Sequence, residues 1–562
     1  MIPELLRPLT ESAAATVTDP ATAVDALVPT TNPAHGDYQW NFAFRSAKAL
    51  RTAPRALAER LRPLLANHPG VREVEVAGPG FLNIRLHDSF VVEAARRAAG
   101  SLPQIGAGQT VVIDYSSPNV AKRMHIGHMR STHLGHALDG LHRATGHRVI
   151  ADNHIGDWGT QFGKLIVAWH RWLDPEHYAE DPIGELERLY VHFGNQVAEN
   201  PALADEARAG TVKLQQGDEA SRRLWREFME VSLREFNAVY ERLGVRFDET
   251  LGESAYAEAL PDVVKQLVDR GVARSSEGAV VVSFDEPALK DHVLMIQKRD
   301  GGFNYATTDI ATVQYRVARW NPQRIIYVTD TRQQLHFKQF FSVARTLGVQ
   351  TELVHAWFGM LTLPEGAMST RKGNTIRLVE LLDEATRRAR VVVDQKSPEL
   401  PEEQRDAIAS AVGINAVRYA DISQNPQTDI VFTWDKMLAL DGNTAPFLMY
   451  SHARCCSLLH RAGQAPEIDR ISVSAPAERE LLLSLARYPE AAVDALRTLR
   501  PNVLAEHLYE ICGRINRFWH DVPVLFDTTP EERASRLGMI ELARRVLRSG
   551  LEVLGLRVLD RM

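Results

Sequence analysis

The segment that most restricts the fold runs from residue 110 to residue 150. Thr110 to Ile113 is a short run of β-branched residues, TVVI, of the kind that forms a strand buried on both faces of a parallel sheet. A polar loop with Ser116-Ser117-Pro118-Asn119 follows. Gly127 to Thr145 then reads as a helix, and Val149 and Ile150 open a second strand. Strand, loop, helix, strand is the opening of a doubly wound, Rossmann-type α/β domain. Such domains bind ligands in the loops beyond the carboxyl ends of their strands.

The 562 residues allow three or four domains of ordinary size. Residues 1–105 read as a small α+β domain. Asn41 to Leu65 has apolar residues at helical spacing, and Val71 to Leu86 alternates like a strand, breaks at Gly78-Pro79-Gly80 and alternates again, a hairpin pattern. Residues 106–395 read as the doubly wound domain. A charged, helical insertion interrupts it at about 165–280, and strand patterns return at Ala279 to Phe284 and Arg324 to Thr329. Residues 396–562 read as an all-α bundle, with amphipathic stretches such as Leu481 to Leu496 and Ile540 to Leu554.

A formal net charge of −6 lacks the basic excess of a general nucleic-acid binder, but it leaves room for local basic tracks. No apolar run is long enough to span a membrane. Met1 to Asp19 has no basic-then-apolar signal pattern. Cys455, Cys456 and Cys512 offer neither zinc spacing nor a disulfide framework. No structural metal is therefore expected, and a reducing cytoplasm is the expected location.

The chemistry is concentrated in Asp114 to Thr132, DYSSPNVAKRMHIGHMRST. His125 and His128 flank Ile126-Gly127 where strand turns into helix. Such a turn offers free N–H groups and a positive helix end, both favourable to phosphate. Gly127 has no Cβ, so an adenine or ribose can lie against the backbone. Two imidazoles there can donate to a triphosphate as charge shifts at its α-phosphate. That suits adenylation, in which a carboxylate attacks and pyrophosphate leaves. Taken alone, two histidines three apart also fit a helix face or a metal pair. A second segment, Met368-Ser369-Thr370-Arg371-Lys372-Gly373-Asn374, is a basic loop able to close over a pyrophosphate. Alone it reads as a surface turn.

Together, at opposite ends of one α/β domain, the two segments resemble the HIGH and KMSKS signatures of class I aminoacyl-tRNA synthetases. SSPNVAKRMHIGHMRST, NHIGDWGTQFG (Asn153 to Gly163), LGESAY (Leu251 to Tyr256) and MSTRKGN resemble arginyl-tRNA synthetases in particular. HGDYQWN (His35 to Asn41) and GPGFLNIRL (Gly78 to Leu86) resemble their N-terminal domain. The stretch from LMYSHAR (Leu448 to Arg454) to Met562 resembles their anticodon-binding domain.

The resemblance implies a monomeric ligase that takes ATP as its Mg2+ complex, L-arginine and tRNA. It places His125, Gly127, His128, Met368, Ser369, Arg371 and Lys372 at the ATP. The loop departs from KMSKS, with Ala367 and Thr370 where the lysines stand. The resemblance implies that Lys122 supplies the missing cation beside Lys372. It puts Asp114 and Ser117 at the α-amino group of arginine, with Asn119 nearby, His125 beside the amino acid and Gln333 at the pocket border. Tyr305 and Asp309, four apart on a helix, would share a face toward the guanidinium, a planar cation with five donors that calls for carboxylates. A pocket that pairs every donor rejects lysine without editing. tRNA contacts are implied for Asp37, Tyr38 and Asn41 at the tRNA corner. Tyr450, Arg454 and Trp519, with Arg514 and Arg517, are implied at the anticodon, where unstacked bases are read by stacking and edge contacts. Activation of arginine is implied to need bound tRNA.

Three other readings compete. A cysteinyl-type synthetase would need zinc-binding cysteines near the HIGH segment, and the three cysteines lie far from it. A small-molecule nucleotidyltransferase would need neither the N-terminal unit nor the helical last third. A catalytically dead tRNA-binding relative would not need His125, His128, Tyr305 and Asp309 intact.

Overall fold

The computed structural model describes residues 1, 2, 6, 10, 11, 27–30, 32–362, 376–431 and 433–562. Four parallel strands form the central sheet, in the spatial order Glu352–His355, Arg324–Tyr327, Thr110–Asp114, Arg148–Asp152. Both faces are covered, as period-two alternation on an all-apolar strand requires. Val111, Ile113, Val149 and Ile326 join the core shared with the helix Ile126–Ala144 and the C-terminal helices. Val112, Ile150 and Ile325 face the helices Tyr305–Trp320 and Gln334–Thr346.

The chain runs from the first strand outward to one edge, then returns to the other side of that strand. The order reverses between Thr110–Asp114 and Arg324–Tyr327. At such a switch point the loops leaving the two strands diverge and open a crevice.

Between the second and third strands lie helices Thr160–Trp172, Pro182–Glu199, Ala202–Gln215 and Glu219–Leu243. They have a core of their own around Phe162, Leu189, Phe193 and Phe228, and Val120 and Ala121 belong to it. A three-stranded antiparallel sheet follows, Arg274–Ser276, Ala279–Ser283 and Val293–Gln297. The apolar run at 279–284 thus belongs to this small sheet and not to the parallel one. Glu277 and Gly278 both have positive φ, 51° and 84°, and make the two-residue turn that a right-twisted hairpin favours.

The N-terminal domain is a four-stranded antiparallel sheet, in the order Leu27–Pro29, Tyr38–Trp40, Phe81–Leu86, Val71–Ala77. The helix expected over 41–65 is two pieces, Phe42–Ser46 and Pro54–Ala66. Proline at position 54 forces Ala53 to an extended ψ of 132° and restarts the helix at its first residue. Among the described residues, six long helices follow, from Leu378–Lys396 to Pro530–Val553. The N-terminal sheet docks on one of them, Pro476–Thr498. Arg479 holds both carboxylate oxygens of Asp37 at 2.8 and 2.9 Å, and the Tyr38 hydroxyl donates to Glu490 at 2.8 Å. Among the described residues, no helix is long and apolar enough to cross a membrane.

Candidate active site

An open cleft of about 850 Å³ occupies the switch point. Ser116 and Ser117 from the loop after the first strand line one side, Val328 to Asp330 after the third strand line the other, and His125, Gly127 and His128 form its floor. His125 is the N-cap of the helix Ile126–Ala144, with extended backbone. Its Nδ1 accepts from the Gly127 N–H at 3.0 Å, and the His128 Nδ1 accepts from the His125 N–H at 3.1 Å.

A ring nitrogen that accepts a backbone N–H carries no proton, so both rings are held as the Nε2–H tautomer. Burial and the nearby Lys122 ammonium lower His125, and burial and His125 push His128 down to about 3. Both imidazoles are therefore neutral donors at pH 7. Gly127 makes this possible, since a Cβ there would lie 2.7 Å from the His125 ring. The glycine serves the histidine before it serves any ligand.

The approach to these histidines is a loop under strain. Ser116, Ser117 and Ala121 all have left-handed backbones, at φ 73°, 49° and 62°, which costs non-glycine residues energy that surrounding contacts must offset. Ser117 N–H donates to Asn153 Oδ1 at 3.1 Å, and Ala121 N–H to Ser232 Oγ at 2.9 Å. Lys122 carries its Nζ 4.4 Å from the centre of the Tyr190 ring. The positions Met368, Ser369, Arg371 and Lys372, with Thr370, lie outside the described residues. Both flanks of that segment meet the cleft. Leu361 and Thr362 line it, and Ile376 accepts from the Ile126 N–H at 3.2 Å.

Arg130, one turn into the same helix, is almost wholly buried. It pairs with Asp421 at 2.9 Å and donates to Gly359 O, Thr428 O and Pro426 O. The helix Glu402–Ile422 is thus fastened to the cleft floor.

The expected amino-acid residues fall into two groups. Ser117, Asn119 and Gln333 line the cleft with the histidines. Asp114 lies just beneath, with Ser117 Oγ–H donating to it at 3.0 Å and buried Arg316 pairing with it at 2.6 Å. Tyr305 and Asp309 begin the helix Tyr305–Trp320 and do not line that cleft. Tyr305 is 70% exposed, and Asp309 is bonded to His336 Nε2 at 2.5 Å.

A carboxylate that sequence reasoning did not single out stands with them. Burial and the negative charges of Asp157 and Asp309 push Glu253 up to about 8. Its signal was LGESAY, a stretch without periodicity whose meaning depends on Asp157 and Asp309, distant in sequence.

On the two outer domains the structure corrects part of the expectation. Asp37 and Tyr38 are 4% and 0% exposed, and their side chains are consumed by Leu86, Arg479 and Glu490. They fasten the N-terminal sheet to the helix Pro476–Thr498, and neither side chain is exposed. Asn41 is half-buried at the start of the helix Phe42–Ser46. Beside it Phe44, 48% exposed, packs on Phe81 at 5.2 Å between ring centres, an aromatic surface that sequence reasoning passed over.

On the C-terminal bundle Tyr450 is 51% exposed and shares with Arg454 a cleft of about 820 Å³ that Met562 also lines. The Arg454 guanidinium lies 4.2 Å from the centre of the Trp519 ring. Arg514 and Arg517 both pair with Glu480 and are not free cations. Cys456 and Asp560 line this cleft too, with His452 beside them, and Asp560 is paired to Arg548 at 2.5 Å.

Comparison with known proteins covers nearly the whole chain. Residues 92–434 match the family described as tRNA synthetases class I (R), catalytic domain. Residues 448–562 match the DALR anticodon binding domain, and residues 5–86 the arginyl tRNA synthetase N-terminal domain. The arginine–tRNA ligase of Fusobacterium nucleatum is 44% identical over 540 residues, 95% of this chain and 94% of that protein. That of Escherichia coli is 40% identical over 547 residues, 94% of each. Among solved structures, the arginyl-tRNA synthetase of Thermus thermophilus aligns over 100% of both chains at 25% identity and a TM-score of 0.84. That of Plasmodium falciparum aligns over 100% of this chain and 99% of its own at 24% identity and a TM-score of 0.85.

Proposed function

This chain belongs to the arginyl-tRNA synthetase family, and on that premise we propose how its own residues carry the reaction. The protein is an arginine–tRNA ligase. Arginine is adenylated with ATP, taken as its Mg2+ complex, and then transferred to the 3′-terminal adenosine of tRNA. The observation that carries the assignment of roles is the pair of Nδ1 acceptors at the helix start. They aim two neutral Nε2–H donors at the position where negative charge grows as the arginine carboxylate attacks the α-phosphate. Donors fixed in place before the reaction cost no reorganisation during it, which is how such groups lower a barrier.

Lys122 and Lys372 neutralise the leaving pyrophosphate, with Met368, Ser369 and Arg371 closing over the nucleotide. Ser117, Asn119 and Gln333 hold the arginine backbone, Asp114 stabilises its amino group, and Asp309, Tyr305 and Glu253 receive the guanidinium. The His336 partner of Asp309 orients that carboxylate until the substrate arrives. Stacking surfaces at Asn41 with Phe44, and at Tyr450, Arg454 and Trp519, meet the tRNA corner and the anticodon. The protein acts as a monomer in the cytoplasm.

The test is ATP–pyrophosphate exchange with each amino acid, with and without tRNA. Exchange is expected with arginine alone among them. His125→Ala and His128→Ala should each lower it by about 10²–10³, the loss typical of one preorganised donor. Exchange with cysteine, or near-normal rates in both histidine variants, overturns the reading.

A further inference from the structure

We propose that Tyr190, on the insertion helix Pro182–Glu199, is a positioning residue for adenylation: its ring seats the Lys122 ammonium. The inference deepens the reading of Lys122 given above and rests on it.

The insertion holds the residues on both sides of Lys122. Ala121, on its N-terminal side, keeps its left-handed conformation by donating to Ser232 on the helix Glu219–Leu243. Arg123, on its C-terminal side, donates its N–H to Glu187 at 2.6 Å. Its guanidinium pairs with Asp181, the cap of Pro182–Glu199, and with Glu235 at 3.7 Å. Two insertion helices therefore fix where the Lys122 side chain departs. Tyr190, on one of these helices, fixes where it ends, with Nζ 4.4 Å from the ring centre.

The chemistry of that seat is specific. Among the described residues no carboxylate pairs with Lys122. A carboxylate would hold the ammonium but cancel its charge. An aromatic face attracts a cation through the ring quadrupole and leaves both its charge and its donors for a phosphate. Lys122 depresses the basicity of both His125 and His128, so its charge acts at the histidine floor. Lys164 approaches the same ring at 5.8 Å. Tyr190 thus gathers two ammonium groups without neutralising either.

The experiment measures arginine-dependent pyrophosphate exchange by the full chain with tRNA present. Tyr190→Phe keeps the ring and is expected to stay within about twofold of wild type. Tyr190→Leu removes the ring and is expected to lower kcat on the order of tenfold, with KM for arginine unchanged. In a Lys122→Ala background Tyr190→Leu should add nothing, since two changes acting through one group are not additive. A series of increasingly fluorinated phenylalanines at position 190 keeps shape and packing while weakening the quadrupole, and log kcat should fall in step with it. A flat series overturns the proposal, as does a Tyr190→Leu loss that persists undiminished beside Lys122→Ala. If Lys122→Ala itself leaves exchange unchanged, the assignment of Lys122 fails and Tyr190 falls with it. If Lys122→Ala is slow and the series is flat, only the Tyr190 proposal fails.

Discussion

Glu253 sits where the short turn Glu253–Ala259 begins, with Asp157 and Asp309 in electrostatic reach, and burial and those charges hold its carboxyl up to about 8. Below that pH it is neutral in the free protein. A guanidinium entering the pocket favours the anion, so binding must release a proton there, and affinity must rise with pH until Glu253 is ionised before binding. KM for arginine is therefore expected to fall as pH rises toward about 8 and to level off above it, and Glu253→Gln should flatten the profile. A steep profile that survives Glu253→Gln would show that another group titrates. The residue scale is also where the sequence was read best and worst. His125, Gly127 and His128 were legible because their meaning is local: a helix start, a missing Cβ, two rings within one turn. Asp37 and Tyr38 were legible as a motif but not as a clasp, because their partners Arg479 and Glu490 lie in the last third of the chain.

At the scale of elements, the helix Pro476–Thr498 receives the N-terminal domain, and its Glu490 carries the pH sensitivity of that contact. Burial raises Glu490 from 4.5 to about 7, while Tyr38 and Arg487 act in the opposite direction. The docked carboxyl thus keeps a proton that a solvated one gives up. Its contribution is fully present below about 4.5 and is lost as pH rises through about 7. Melting temperature should therefore drop more between pH 6 and pH 8 in the wild type than in Glu490→Gln, which cannot ionise. Equal drops would remove Glu490 from the interface energetics. The periodicity of 3.6 and 2 disclosed most elements, and it misjudged those whose identity depends on partners. The run at 279–284 pairs in a local hairpin, and the expected helix over 41–65 is cut by Pro54. Helix Glu402–Ile422 looks like the first member of the terminal bundle, yet its Asp421 is the buried counterion of Arg130 at the cleft floor. Cutting the chain before it would leave a buried charge unpaired, which typically costs about 3–5 kcal/mol, so tRNA binding is better tested by changing Tyr450 or Arg454 than by truncation.

At the scale of the whole molecule, the surfaces assigned to tRNA are connected to the cleft through packed, charged joints. The N-terminal sheet is fastened to Pro476–Thr498 by Asp37–Arg479, that helix packs in one core with Glu402–Ile422, and Asp421 reaches Arg130 beneath His128. A tRNA gripping both outer domains would therefore load the cleft floor through contacts that do not bend independently. The loop expected to close over the nucleotide lacks both signature lysines, having Ala367 and Thr370, so the free protein has one less reason to populate the closed arrangement. A ligand shifts such an equilibrium only by binding the competent state more tightly, and moving a 1:99 mixture to 99:1 takes about 5.5 kcal/mol of difference. An interface that neutralises several phosphates supplies energy of that order, and the supply shrinks as salt rises. Arginine-dependent pyrophosphate exchange is accordingly expected to be negligible without tRNA, to appear with cognate tRNA whose terminal ribose has been oxidised so that it cannot accept, and to decline with added salt. Oxidised tRNA separates activation from transfer, because turnover through the acceptor end is blocked. Robust exchange by the tRNA-free protein would mean that the closed state is already populated and that the joints between domains serve stability alone.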